Sequence, residues 1–121
     1  MKKGSLSDRA AEYVVSRKDE ELATLKVKAI AITLGVNPSY LSRKFKNDKD
    51  MTLNDFITGI KMQRSARLLS KRKKISIVNL AEKTGFARSD YFVILFRNQF
   101  GIHPKKFGEL KKSKFQPRDY N

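Results

Sequence analysis

The chain has no cysteine, no tryptophan, one histidine and three prolines, and its 12 Asp+Glu stand against 27 Lys+Arg over 121 residues. Without cysteine there can be no zinc finger or ribbon, no thiol catalysis and no disulfide scaffold. His103 alone rules out a multi-histidine metal site and argues against a histidine-based catalytic triad. The longest stretch free of charge, residues 29–42, is interrupted by Gly35, Asn37 and Pro38 and is too short to span a bilayer. Met1-Lys2-Lys3 leads into Gly4-Ser5-Leu6-Ser7-Asp8 and not into an apolar run, so no signal peptide is expected. No glycine-rich phosphate loop is present either. No constellation for chemistry remains, and the expectation is a protein that is not an enzyme, with no cofactor and no metal.

What is present is enough for a core. Hydrophobic residues make up 40% and aromatics 10%, including eight Phe and four Tyr. A chain of this length suits one domain, or two small units, with roughly two-thirds of its surface buried. Net charge is +15, unevenly laid out. Asp8, Glu12, Asp19, Glu20 and Glu21 place five of the 12 acids in the first 21 residues. Residues 22–47 and 56–81 then contain none, and the second window holds Lys61, Arg64, Arg67 and the run Lys71-Arg72-Lys73-Lys74. Solvated helical faces mix signs because like charges one turn apart repel, so windows this long point to a phosphate-bearing partner. A soluble, cytoplasmic protein with a polyanionic partner is the expectation.

Periodicity predicts an all-α chain of seven helices and no sheet. Residues 8–17 carry Ala11, Val14 and Val15, with Ser7 as the expected N-cap. Residues 26–34 carry Val27, Ile30, Ala31 and Leu34 and stop at Gly35. Pro38 suits the first turn of a helix over 38–48, whose apolar stripe is Leu41 and Phe45. Residues 52–70 form one long helix through Leu53, Phe56, Ile57, Ile60, Ala66 and Leu69, and Gly59 inside it costs about 1 kcal/mol against Ala. Ser76 caps a helix over 77–84 stopped by Gly85. Helices over 89–100 and 104–110 follow, then a polar tail, 111–121. His103, just before Pro104, sits where a polar residue caps a helix, and it receives no catalytic role.

The strongest feature is an internal repeat. At an offset of fifty, Ile30 meets Leu80, Ala31 meets Ala81 and Gly35 meets Gly85. One extra residue after the second glycine shifts the offset to fifty-one, where Tyr40 meets Tyr91, Phe45 meets Phe96, Lys46 meets Arg97 and Asn47 meets Asn98. Each copy reads as helix, glycine turn, helix. A small Ala four residues before the Gly lets two helices cross closely, and the Gly supplies the backbone conformation of a tight turn. An ordinary helical hairpin would use the same residues for packing alone; two copies on so basic a chain favour a helix-turn-helix.

With those residues in view, the sequence resembles the C-terminal region of the AraC/XylS family of bacterial transcription regulators. The resemblance is carried by Ile77, Leu80-Ala81, Gly85-Phe86, Tyr91-Phe92, Phe96, Phe100-Gly101, Pro104 and Phe107. Upstream it continues through Leu34-Gly-Val-Asn-Pro-Ser-Tyr-Leu-Ser-Arg-Lys-Phe45 and Ala66-Arg-Leu-Leu69, and it covers roughly residues 6–110. It implies two homeodomain-like three-helix units joined by a linker helix, with both recognition helices in successive major grooves of DNA. The expected organisation is a first helix-turn-helix subdomain at 1–51, a linker helix at 52–70, a second subdomain at 71–110 and a tail. A linker of about nineteen residues spans roughly 28 Å, which, with packed units on both ends, suits grooves about 34 Å apart.

On the helix over 38–48, Ser39, Ser42, Arg43 and Lys46 lie opposite the Leu41/Phe45 stripe. Arg43 is the leading base reader, because a guanidinium can bond guanine O6 and N7 together. The resemblance likewise places base readers at Ser39, Ser42 and Arg43. Asn37, Tyr40, Lys44 and Lys46 are expected at phosphates, which position the helix without reading sequence. The helix over 89–100 departs from the family: Ile94 stands where a basic residue is usual, and Val93 where a polar one is. Arg88, Ser89, Asp90 and Ile94 are the candidate base contacts there and Arg97 a phosphate contact. Asp90 has two readings, acceptor from cytosine N4 or first-turn residue favoured by the helix dipole. Val93 and Ile94 also have two, thymine methyl groups or a protein surface. Weaker or less discriminating contact is expected in this half. Lys71 to Lys74 is either a solvated loop or a backbone contact across the minor groove.

The expected partner is double-stranded DNA, with RNA polymerase a candidate protein partner. The binding domain is expected to act as a monomer, any dimerisation residing in an amino-terminal domain outside this sequence. A basic helical RNA-binding protein is the alternative, disfavoured because Phe45, Phe56, Phe92, Phe96, Phe100 and Phe107 fall on core stripes and not on a stacking surface. A membrane-surface helix over 61–74 is disfavoured because the core needs its apolar face.

Overall fold

A computed structural model of the protein describes residues 4–71 and 74–111. Among them are eight α-helices and no strand: α1 (Leu6–Val15), α2 (Asp19–Ala23), α3 (Val27–Leu34), α4 (Pro38–Lys49), α5 (Leu53–Lys71), α6 (Ile77–Lys83), α7 (Ser89–Phe100) and α8 (Pro104–Lys111). Seven of these coincide with the expected helices. The eighth, α2, spans five residues, too few to display a helical period. Three acids fill its first turn, where the helix dipole favours them, the Glu21 carboxylate accepts the Lys18 N–H at 2.9 Å, and Leu22 is buried beneath. The chain divides into two compact units, Met1–Ile60 and Lys61–Asn121, and α5 runs across the division.

In the first unit, α1 begins earlier than the sequence suggests. Ser5, not Ser7, is its N-cap: the Ser5 hydroxyl accepts the Asp8 N–H, and the Asp8 carboxylate accepts the Ser5 N–H. The acid three residues after Ser5 completes this reciprocal cap and decides between the two serines. Ser7 lies inside the helix, fully buried, and donates its hydroxyl to Asp48 Oδ2 at 2.7 Å on α4. The packed stripe is centred on Ala10 and Val14 with Ala11 partly buried beside it, and Val15, expected on the packed side, lies one residue past it and is 53% exposed. The Lys49 ammonium binds the Asp8 carboxylate from α4 and holds its pKa below the ordinary 3.8. The core is Ala10, Val14, Leu22, Ile30, Ala31, Leu41, Phe45, Leu53 and Ile57, with the Phe45 and Phe56 rings 5.6 Å apart.

The second unit is more aromatic. Met62, Ala66, Leu69, Leu80 and Ala81 pack with Phe92, Phe96, Phe100 and Phe107. The Phe96 ring lies 4.7 Å from Phe100, 5.4 Å from Phe107 and 5.9 Å from Phe92. Ser76 caps α6 by accepting the Asn79 N–H, and His103 Nδ1 accepts the Lys105 N–H at 3.0 Å at the head of α8. Both expected caps are thus in place.

The repeat is visible in the backbone. After α3 the Val36 N–H bonds the Ala31 carbonyl at 3.0 Å, and after α6 the Phe86 N–H bonds the Ala81 carbonyl at 2.8 Å. Gly35 and Gly85 supply the left-handed residue that this closure needs, at φ 72° and 91°. Helices α4 and α7 each have 12 residues, with N-caps at Asn37 and Arg88 and C-caps at Asp50 and Gly101, all at the offset of fifty-one. The two C-caps differ in cost. Gly101 takes φ 81° freely, whereas Asp50 is held at φ 62°, a conformation that crowds an L side chain. Asp50→Gly should therefore stabilise the first unit by about 0.5–1 kcal/mol, a rise of a few degrees in melting temperature. An unchanged or lower midpoint in a thermal melt would show that the Asp50 side chain makes a compensating contact.

Candidate nucleic-acid interface

Helix α4 is seated by its buried side and opened by its cap. Leu41 and Phe45 are fully buried, which turns Ser39, Ser42, Arg43 and Lys46 outward as exposed residues. Pro38 occupies the first turn, and Asn37 Oδ1 accepts the Ser39 N–H at 2.8 Å and the Tyr40 N–H at 3.2 Å. The Asn37 oxygen is thus spent on the cap, and only its amide NH₂ is left for a phosphate. Tyr40, Arg43, Lys44, Lys46 and Asn47 line an open hollow of about 470 Å³. Among the described residues, Arg43 and Lys46 are in no ion pair, whereas the Lys44 ammonium lies 3.6 Å from Asp48, the carboxylate that also holds Ser7. Lys44 therefore presents less free charge than its neighbours. The first surface offers a bidentate donor, two small hydroxyls and a cation on one helical face.

Helix α7 is built alike and equipped differently. Phe92 and Phe96 are buried, and the outward positions are Asp90, Tyr91, Ile94 and Arg97. Ser89 is partly buried. Val93 is partly buried and packs against the second core, so it is not the outward residue of the sequence reading. Arg88 and Asp90 are engaged with each other: Arg88 Nη2 donates to Oδ2 at 2.6 Å and Nε to Oδ1 at 3.2 Å. This bond holds the Asp90 carboxyl below its ordinary range and the Arg88 guanidinium above its own. Asp90 Oδ1 also accepts the Tyr91 N–H at 2.9 Å, so cytosine would have to compete with two donors already in place. Ala87, Arg88, Asp90, Tyr91 and Ile94 line an open hollow of about 410 Å³. Sequence reasoning named Arg88 and Asp90 separately and missed that they satisfy one another; opposite charges two residues apart at a helix start were the available signal.

The structure does not gather every predicted cation. Lys61 places its ammonium 5.3 Å over the Phe86 ring, a cation–π contact. Arg67, Lys71 and Lys74 are exposed, and Arg72 and Lys73 lie outside the described residues, as does the tail from 112 onward. Among the described residues no group of His, Cys, Asp or Glu could hold a metal ion, and no helix is long and apolar enough to cross a membrane.

Comparison with known proteins agrees with this geometry. Residues 30–109 match the helix-turn-helix domain family. The Msm operon regulatory protein of Streptococcus mutans is 34% identical over 85 residues, covering 70% of this chain and 30% of that protein. Two solved structures, each 26% identical, share the fold. The C-terminal domain of AraT, a response regulator from Geobacillus stearothermophilus, superposes with a TM-score of 0.72 over 88% of this chain and 85% of that one. A Chromobacterium violaceum transcriptional regulator, described as an AraC-type DNA-binding domain-containing protein, does so with a TM-score of 0.75 over 92% and 96%. The chain spans between about a fifth and a half of the length of the curated relatives it matches. Domain match, fold and relatives together establish that the chain belongs to the AraC-type helix-turn-helix family of transcription regulators.

Proposed function

We propose that the chain binds double-stranded DNA sequence-specifically as a monomer, with α4 and α7 entering successive major grooves of a site of about 20 bp. The observation that carries this is the pair of 12-residue helices bounded at equivalent positions, each with a buried stripe on one side and an exposed face on the other, polar and cationic on α4 and mixed on α7. In this reading 1–51 and 71–110 are the two helix-turn-helix subdomains and 52–70 the linker. Ser39, Ser42 and Arg43 contact bases, with Tyr40, Lys46 and the Asn37 amide at phosphates and Lys44 a weaker partner because of Asp48. On α7, Ser89 and Ile94 face bases, Arg97 a phosphate, and Arg88 and Asp90 act as a unit. The RNA-binding alternative has no support, since Phe45, Phe92, Phe96, Phe100 and Phe107 are all buried and cannot stack on bases. The chain would act in the cytoplasm of a bacterium, with RNA polymerase a candidate partner and any dimerisation residing outside the binding domain.

Selection of bound duplexes from a random pool tests the reading. Two enriched blocks about one helical turn apart are expected. No enrichment at all would sink DNA recognition, and a single block would sink the two-groove arrangement. The two arginines separate the halves further. Arg43→Ala should weaken binding roughly 5- to 150-fold and relax the preference at one guanine. Arg88→Ala should cost about threefold or less, because its guanidinium already serves Asp90. Equal losses in a fluorescence-anisotropy titration would contradict that asymmetry.

A further inference from the structure

At the position where α4 presents Arg43, α7 presents Ile94, and its surroundings are as informative as the residue. Ile94 is 55% exposed, a large aliphatic side chain held in water on an outward helical face. Ala87 and the Tyr91 ring line the same hollow. Tyr91 is 53% exposed, yet it is braced edge-on against Phe86 with centroids 6.2 Å apart, so the wall beside Ile94 is fixed. The two charged residues lining this hollow, Arg88 and Asp90, close on each other. Such a face is a poor ligand for guanine, whose major-groove edge offers only the O6 and N7 acceptors. It fits the one apolar group that the major groove displays, the C5 methyl of thymine.

We infer that the second unit reads its half-site through thymine methyl groups, gathered by Ile94 against the wall of Ala87 and Tyr91. The inference rests on the DNA-binding reading above and sharpens it. The two half-sites differ in chemistry, one read by hydrogen bonds from Arg43 and the other by apolar contact. The whole site is consequently directional, and the chain binds it in one orientation.

The test starts from a duplex recovered from the random pool and replaces thymine by deoxyuridine, which removes only the methyl. Replacement within the block assigned to α7 should weaken binding about fourfold for each methyl that Ile94 covers. The same replacement should change little for the Ile94→Ala protein, and replacement in the other block should affect both proteins equally. Comparing the two proteins cancels any effect of deoxyuridine on the duplex itself. Ile94 is exposed, so the alanine protein should fold, and thermal melting checks it; Ile94→Val should keep most of the methyl sensitivity. An α7 block without thymine, insensitivity of the wild-type protein, or equal sensitivity in Ile94→Ala would each overturn the inference and leave the patch to a protein partner. Failure to enrich any duplex would instead overturn the DNA-binding reading.

Discussion

Between 50 and 200 mM monovalent salt, the affinity of this chain for its duplex should fall by about 10³–10⁵-fold. This follows if six to ten phosphates are neutralised, because each contact releases condensed counterions. The net charge of +15 is compatible with that number, but the structure shows which cations are at hand. Arg17, Lys44, Lys49 and Arg88 are each engaged with a carboxylate, while Arg43 and Lys46 are in no ion pair among the described residues. Opening an exposed pair of this kind costs about 0–1 kcal/mol, so these cations can still reach a phosphate but with a smaller net gain than the unpaired ones. A log–log plot of affinity against salt should therefore be linear with a slope of about −5 to −9. A flat plot would contradict the electrostatic account of the acid-free windows. A slope shallower than about −3 would mean that the first helix binds alone.

Phe96→Ala should cost the second unit about 3–5 kcal/mol and leave the first unit folded. The loss is expected at the upper end because three rings, those of Phe92, Phe100 and Phe107, border the space the side chain would vacate. Offset and edge-on ring pairs add to simple burial, and rings braced on one another cannot close the gap by small shifts. At about 0.05–0.15 kcal/mol per residue, a unit of some sixty residues has about 3–9 kcal/mol of stability, so this loss removes a large part or all of it. Amide exchange gives the decisive readout. Protection should vanish over α6, α7 and α8 and persist at Ala10, Ile30, Leu41 and Phe45, which belong to the other core. Equal loss of protection in both cores would show that the units fold as one.

How much of this was legible in advance varies with the length scale of the signal. The helices over 27–34, 38–49, 53–71 and 89–100 have stripes longer than a turn, and all but the third are stopped by glycine or started by proline; their limits come within a residue or so of expectation. The offset of fifty-one, read from side chains such as Tyr40 and Tyr91, recurs in the cap positions although the residues there differ, because the buried stripes fix where each helix begins and ends. Short-range choices were less legible. Whether Ser5 or Ser7 caps α1 depends on Asp8 reaching back, and α2 is too brief for periodicity. Val93 sits one residue beyond the Phe92 stripe, and its partial burial depends on the neighbouring core. Of the candidate readers, the face opposite Leu41 and Phe45 followed from helical geometry alone. The spacing of Arg88 and Asp90 allows their pairing, but which rotamers close it is decided by the folded helix start.

The extra residue in the second copy falls between the Phe86 N–H bond that closes α6 and Arg88, the N-cap of α7. Both anchors are set by neighbours and not by Ala87. Added length there is absorbed in the loop. Inside either helix, one inserted residue would rotate everything beyond it by about 100° and carry Phe92 and Phe96 out of the core. The turn is thus the place where this chain adjusts the length between two helices while the packing register of each is preserved. A one-residue difference between two otherwise matched copies is the mark that such an adjustment leaves.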